Sequence, residues 1–288
     1  MLHLKPLTSG FSPIKLHDIH FLIAEGRVKD VQAVLESFFL SPHSCTTLDP
    51  LEETRGVYLL QGAQQWVLKH NHLTSWKKQL VNFFGIKKTY GLHDLTNEFI
   101  NLQKISAVAD FVPRVFAYGY RTRRLCFLQE EYLLIGYFAE HCDVDERLQS
   151  SPEQAERVLE QIFELFSRML ALGFCHLDPH PKNIMIGPDN QLRLIDFECC
   201  SHKVLSQDFA LGFLHGYFYA YWFKRFIDKD LYHRLSSHYL ARAHPGLDRG
   251  VFEPVYRQFR DHKVGRSTRY SVMTSAAAQR AFLASLTR

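Results

Sequence analysis

One run of side chains in this sequence has types and spacing that suit a single piece of chemistry. It begins at Gly173 and ends at Glu198, GFCHLDPHPKNIMIGPDNQLRLIDFE. Within it stand His176, Asp178, Asn183 and Asp196; Asn183 follows Asp178 by five positions, and Asp196 follows Asn183 by thirteen. Asp178 offers a carboxylate that can orient a hydroxyl group or accept its proton. The Asn183 amide oxygen and the Asp196 carboxylate are hard oxygen donors of the kind Mg²⁺ takes together with phosphate oxygens. A hydroxyl-orienting carboxylate beside two such donors is the equipment of phosphoryl transfer. Taken singly, each residue has a plainer reading. Asp178 before Pro179 could start a turn, Asn183 could close an Asx-turn, and Asp196 could cap whatever follows. The spacing of all of them together carries the functional reading.

The flanking sequence supplies elements that could position these groups. Thirteen positions are just enough for strand, turn and strand: Ile184-Met185-Ile186, then Gly187-Pro188-Asp189-Asn190, then Leu192-Arg193-Leu194-Ile195. Upstream, Ala155, Val158, Leu159, Ile162, Phe163, Phe166, Met169 and Leu170 form one wide apolar face of a helix over 152–172. Pro152 stands at its first position and Ser151 or Ser150 at its cap. A polar stretch, 139–151, leads into it. Before that, residues 123–130 and 131–138 read as two strands with a turn near Glu130. Residues 53–60 and 64–69 read as a hairpin about a turn at 61–63, ending on Lys69. A further helix opens with Asp94 as N-cap and carries Glu98. At the N-terminus a strand-like piece, 17–24, precedes a helix on Val28, Val31, Val34, Leu35 and Phe38.

On the 173–198 residues the chain resembles the protein-kinase-like superfamily. It is most similar to the small-molecule and bacterial branches, which use H-x-D-x-H-P-x-N where eukaryotic protein kinases favour H-R-D-L-K-P-E-N. The resemblance implies an α+β, two-lobed protein-kinase-like fold: an extension (1–45) packed on a small β-rich N-lobe (46–138), then a mostly helical C-lobe (139–288). It implies ATP and Mg²⁺ as cofactors, Asp178 as the catalytic residue, and Asn183 and Asp196 as metal ligands. Lys69, ending an apolar strand after a hairpin, would meet the phosphates. Glu98 would be the helix glutamate that pairs with it, a solvated first-turn glutamate being the rival reading. Gly56, beside Arg55, stands near the turn where backbone amides could cradle phosphate, although no G-x-G-x-x-G is present. The backbones of Gly136 and Phe138 would meet adenine. Asp208 resembles the buried aspartate that ties the next helix to the catalytic loop, with helix N-cap as the competing role. Glu198 stands where glycine is usual. Asp208 follows Asp196 by only twelve positions, too few for a phosphorylatable activation loop, which points to small molecules or sugars rather than proteins as acceptors.

A second set of residues narrows the resemblance. The lysine-ended strand, the segment W-x-x-x-x-x-N-F-F-G-x-K-K from Trp76 to Lys88, Asn97-Glu98-Phe99, and Val112-Pro113-Arg114-Val115-Phe116-Ala117-Tyr118-Gly119 resemble bacterial lipopolysaccharide core kinases. This likeness spans roughly residues 50 to 200. It implies transfer from ATP to a hydroxyl of heptose or Kdo in the inner core, at the cytoplasmic face of the inner membrane. The alternatives are a soluble small-molecule kinase of aminoglycoside or choline-kinase type, and a catalytically silent nucleotide-binding protein. The D-P-H-P-x-N wording also occurs in kinase-like proteins of quinone biosynthesis, whose K-x-G-Q motif and Ala-rich loop are absent here.

Composition bounds the rest. The 288 residues are 46% hydrophobic and 22% charged, as in ordinary globular domains. No apolar run approaches a membrane span, and the N-terminus lacks the apolar core of a signal peptide. The six cysteines form no C-x-x-C pair and read as thiols of a reducing compartment. Sixteen histidines occur without H-E-x-x-H spacing, so a histidine metal site is unsupported. The net charge of +4 suits an acidic substrate or peripheral contact with an anionic inner-membrane surface. Tyr217, Phe218, Tyr219, Tyr221, Trp222, Phe223, Phe226, Tyr232 and Tyr239 read as a core helix, with an interfacial surface as the alternative. Arg257, Arg260, Lys263, Arg266 and Arg269 form a basic stripe. Aromatic and basic residues do not alternate as in a stacking platform, so nucleic acid is not expected as a partner; a glycolipid or sugar is.

Overall fold

The structure is a computed structural model that describes residues 9–42, 45–52, 54–83, 95–123, 127–221 and 223–286. The chain divides into two compact units, Met1–Ala139 and Glu140–Arg288. The architecture is α+β, with the large sheet in the first unit and most of the helices in the second, as a kinase-like two-lobed fold requires.

Pairs of antiparallel strands build the first unit. Strands β1 (Phe11–Leu16) and β2 (Ile19–Ala24) are joined by His17 and Asp18, whose φ angles of 47° and 64° make a tight hairpin turn without glycine. Helix α1 (Val28–Leu40) follows, then β3 (Thr46–Glu52), β4 (Arg55–Gln61), β5 (Gln65–His72), α2 (Trp76–Phe83), α3 (Leu95–Ile105), β6 (Val115–Arg123) and β7 (Phe127–Gly136). The strands form one sheet in the order β1-β2-β6-β7-β5-β4-β3. Val31, Val34, Leu35 and Phe38 of α1 pack with Phe21, Leu60, Trp66, Leu68, Tyr132 and Leu134. Strand side chains alternate between faces, so Lys69, Glu131 and Leu133 point away from α1. Helix α3 lies on that side, where Phe99 stacks on Tyr118 at 4.9 Å.

Two expectations are corrected here. No turn occurs at Glu130; Glu130 and Glu131 lie inside the ten-residue strand β7, whose hairpin partner is β6. Their charges are absorbed sideways. Glu130 accepts from Arg121 (3.4 Å) and from the Tyr132 hydroxyl (2.6 Å), and the buried Glu131 serves α3, as described below. The polar stretch before residue 152 contains strand β8 (Cys142–Asp143) and helix α4 (Val144–Ser150), capped by Asp143, which accepts from the Glu146 N–H at 2.7 Å.

In the second unit a short 3₁₀ turn, Pro152–Gln154, leads into α5 (Ala155–Ala171). Ser151 stands at the N-cap position of that turn but makes no side-chain cap bond. The apolar face read from sequence is buried along α5. Strand β9 (Cys175–His176), a 3₁₀ turn Pro181–Asn183, β10 (Ile184–Ile186), β11 (Leu192–Leu194) and β12 (Cys200–Ser201) carry the chain to α6 (Gln207–Tyr221). Helices α7 (Lys229–Ala243), α8 (Arg249–Asp261), α9 (Arg266–Thr274) and α10 (Ala276–Leu286) complete it. The aromatic segment is core: Tyr217, Phe218, Phe223, Tyr232 and Tyr239 are buried; Trp222 lies outside the described residues. His215 stacks on Phe163 at 4.2 Å and meets the Ser236 hydroxyl at 2.8 Å. Among the described residues no helix is long and apolar enough to cross a membrane.

Helices α6 and α8 approach backbone to backbone because Gly212 and Gly216 line one face of α6. A Cβ at Gly216 would lie 2.4 Å from the Tyr256 carbonyl oxygen. That contact is with backbone and cannot be relieved by a rotamer change. A Gly216→Ala protein is therefore expected to lose about 1–3 kcal/mol of stability despite alanine's higher helix propensity, as read from urea unfolding; unchanged stability would show that the two helices can separate freely.

Candidate active site

In the first unit, Lys69 sits on β5 between Val57 of β4 and Leu133 of β7. Its Nζ lies 2.7 and 2.8 Å from the two carboxylate oxygens of Glu98 on α3. The lysine side chain is 13% exposed and the glutamate 0%, so Glu98 is a buried partner and not a solvated first-turn charge. In a site this dry each charge offsets the desolvation cost of the other. The helix that carries Glu98 is itself anchored. Oε1 of Glu131 accepts from the Thr96 N–H (3.1 Å), the Tyr118 hydroxyl (3.0 Å) and the Thr96 hydroxyl. This places a carboxylate at the first turn of α3, where the helix dipole favours it.

Other sequence expectations in this unit need adjustment. Gly56 is the second residue of β4, paired with His70, close to the start of that strand. Its lack of a side chain is explained by the Tyr58 ring, which would lie 2.6 Å from a Cβ there. Gly136 ends β7 and its N–H is already bonded to the Arg114 carbonyl at 2.9 Å, so only its carbonyl could meet a base. Phe138 follows two residues after the end of β7, outside regular structure. Asp94 and the Phe84–Lys88 part of the basic aromatic segment lie outside the described residues.

In the second unit, His176 is the joint of the arrangement. Its Nδ1 accepts from the Asp178 N–H at 3.2 Å, which makes Nε2 the protonated nitrogen. Nε2 then donates to the carbonyls of Asp196 (2.8 Å) and Ile195 (3.1 Å). One imidazole thus ties the loop that bears Asp178 to the turn that bears Asp196. Asp196 adopts a left-handed conformation, φ 62°, which aspartate tolerates better than most side chains. Asn183 closes the loop: its Nδ2 donates to the Asp178 carbonyl at 3.1 Å, and its own carbonyl accepts from the Ile195 N–H at 3.0 Å. With Nδ2 so used, the amide oxygen is the atom turned to other duties. The β10–β11 hairpin supplies this geometry through a turn at 187–190 in which Asn190 has φ 59°.

The sequence reading left three residues without a part in this cluster. Glu198, buried, offers a carboxylate oxygen within 4.8 Å of one from Asp196. Its position two residues after Asp196 was a usable signal. Tyr217, on α6, donates its hydroxyl to Asp178 Oδ1. Arg269, on α9, reaches the same oxygen at 3.2 Å and the Leu177 carbonyl at 3.2 Å. Burial works against ionisation of Asp178, but the Tyr217 hydroxyl and Arg269 outweigh it and hold the carboxyl below its usual range. The basic stripe is therefore not a solvated face throughout, since Arg269 turns inward and Arg266 donates to Cys199 Sγ at 2.8 Å. Asp208 does not have the role suggested for it. Ser206 accepts from the Phe209 N–H at 3.2 Å as the cap of α6, while Asp208 accepts from the Asp248 N–H at 3.3 Å.

With this geometry established, comparison with known families is informative. Residues 106–249, half of the 288-residue chain, match the APH phosphotransferase enzyme family. The chain belongs to that family, within the protein-kinase-like superfamily. No curated protein matches it significantly.

Two outcomes test these contacts. Because removing either member of the Lys69–Glu98 pair takes from the other a bidentate, buried ionic partner, Lys69→Met and Glu98→Ala should each destabilise by about 3 kcal/mol. The double variant should lose clearly less than the sum in denaturant titration; additive losses would mean the pair is not coupled. Burial lowers the pKa of His176 below 6.5 and takes that of His215 down to about 3. Burial disfavours the charged form of both in the fold, whereas the unfolded chain takes up the protons below about 6.5, so stability is full above that pH and drains away as pH falls. Each histidine should remove up to about 1.4 kcal/mol per pH unit, visible as falling urea midpoints between about pH 7 and about pH 5.

Proposed function

We propose that this protein transfers a phosphoryl group from Mg²⁺-bound ATP to a sugar hydroxyl, with heptose or Kdo of the lipopolysaccharide inner core as the acceptor class. Membership of the APH family supports phosphoryl transfer; the sugar acceptor rests on the resemblance over residues 50–200. The observation that carries the reading is the fixed cluster of Asp178, Asn183 and Asp196, joined through His176. Its donors are the Asn183 amide oxygen and the carboxylates of Asp196 and Glu198. That all-oxygen set fits Mg²⁺, which prefers carboxylate and carbonyl ligands. The metal, when bound, neutralises charge on the phosphates.

In this reading Asp178 orients the acceptor hydroxyl and takes its proton as the acceptor oxygen bonds to the γ-phosphorus and the bond from that phosphorus to the departing ADP breaks. Its carboxyl, held below the usual range by Tyr217 and Arg269, is ionised at neutral pH and can act on the hydroxyl. Asn183 and Asp196 hold the metal, with Glu198 able to add a carboxylate. Lys69, kept in place by Glu98, contacts the ATP phosphates, and the Gly136 carbonyl and Phe138 backbone meet the adenine. Catalysis of this kind is positioning and charge neutralisation more than covalent chemistry. A soluble kinase of small amino alcohols or aminoglycosides is equally compatible with the family. The net charge of +4 suits an anionic acceptor. Contact with an anionic membrane surface belongs to the same proposal.

The test pairs binding with turnover. Mg·ATP should raise the melting temperature of the wild type, and purified core oligosaccharide should become phosphorylated where kanamycin and choline do not. Asp178→Ala should keep the Mg·ATP stabilisation and lose at least about 10²-fold in turnover. An Asp178→Ala protein as active as wild type would remove the catalytic assignment. Preferential phosphorylation of kanamycin or choline would move the acceptor to the second reading.

A further inference from the structure

The backbone around Asp178 is already held by groups close in sequence: His176 on its N–H and Asn183 on its carbonyl. Its carboxylate is held by two that are not. Tyr217 and Arg269 lie 39 and 91 positions further along the chain, and both reach the same oxygen, Oδ1. They also hold each other, because the Arg269 guanidinium stacks over the Tyr217 ring at 4.4 Å. The three contacts close into a ring of Asp178, Tyr217 and Arg269.

We infer that Tyr217 and Arg269 are positioning residues for Asp178: they lock its carboxylate in one rotamer so that Oδ2 is the oxygen presented to the acceptor hydroxyl. The inference rests on the phosphotransferase reading above. An aspartate on a loop can rotate about two torsions, and the Asp178 side chain is 28% exposed, so backbone bonds alone do not fix its head. Two donors on Oδ1 do, and they leave Oδ2 as the oxygen for the substrate. Arginine is well suited to this task. Its planar fork can bond and stack at the same time, which a lysine ammonium cannot do. The Arg269 side chain is 9% exposed, and burying a guanidinium merely to fill space costs more than an apolar side chain would. Helix α9 is also fixed where it needs to be. The Ser201 hydroxyl bonds the Met273 carbonyl at 3.3 Å, and Arg266 bonds Cys199. Tyr217 lies within the residues that match the family and Arg269 beyond them.

Tyr217→Phe, which removes one oxygen and keeps the ring, and Arg269→Gln test the idea, with Arg269→Lys as a charge-preserving control. With Mg·ATP and purified core oligosaccharide, kcat should fall about tenfold for Tyr217→Phe and about a hundredfold for Arg269→Gln, with KM for ATP within about twofold of wild type. Arg269→Lys should recover only part of the loss, and Mg·ATP should stabilise all three proteins as it does the wild type. Crystal structures of Tyr217→Phe and Arg269→Gln should show the Asp178 carboxylate in a new or a second rotamer over an unmoved 176–183 backbone. Wild-type kcat in both proteins, or the original single rotamer in both crystals, would overturn the inference. A wild type that turns over no acceptor would instead count against the phosphotransferase reading, and the rotamer comparison would still decide the positioning role.

Discussion

A single neutral imidazole holds the second unit's chemistry together. His176 accepts a bond from the residue that would meet the hydroxyl and donates two to the turn that carries the acidic metal-ligand candidate. Both nitrogens are engaged, and that assignment works only for the neutral ring with its proton on Nε2. Burial enforces this state by penalising the imidazolium. A charged ring would lose the acceptor that orders the Asp178 backbone, so burial of His176 and order in the loop are one constraint.

The first unit follows a parallel logic with full charges. Lys69 and Glu98 are held on a strand and a helix, and the helix is in turn held by Glu131 through Thr96 and Tyr118. A buried carboxylate in the middle of a strand is costly unless it is hydrogen-bonded, and Oε1 of Glu131 accepts three bonds. Here it anchors the helix that carries Glu98. Both units therefore place a candidate functional group on a rigid element and fix it by hydrogen bonds from a second one, as positional catalysis requires.

Glycine makes room at positions where the chain is crowded. Gly212 and Gly216 let α6 come against α8, and Gly56 makes room for Tyr58. The close approach of α6 matters for the site because Tyr217, next to Gly216, extends from this helix to Asp178. Packing of the helical core and orientation of the carboxylate are thus linked through two adjacent residues.

What the sequence determined by itself was local. Asp178, Asn183 and Asp196 lie within one loop and hairpin, so their spacing and the intervening turn residues were enough to join them, and α5 was legible from its apolar period. Lys69 and Glu98 were legible only as candidates, because sequence could not say whether a first-turn glutamate points into water or at a lysine 29 positions away. Glu130 and Glu131 suggested a turn because two adjacent charges seldom sit inside a strand; Arg121, Tyr132, Thr96 and Tyr118 around them help make it possible. Tyr217 looked like one more core aromatic and Arg269 like one more cation on a surface stripe. Their meeting at Asp178 depends on how α6 and α9 pack, and side-chain periodicity reports which face of a helix is buried, not which distant polar atom that face will reach.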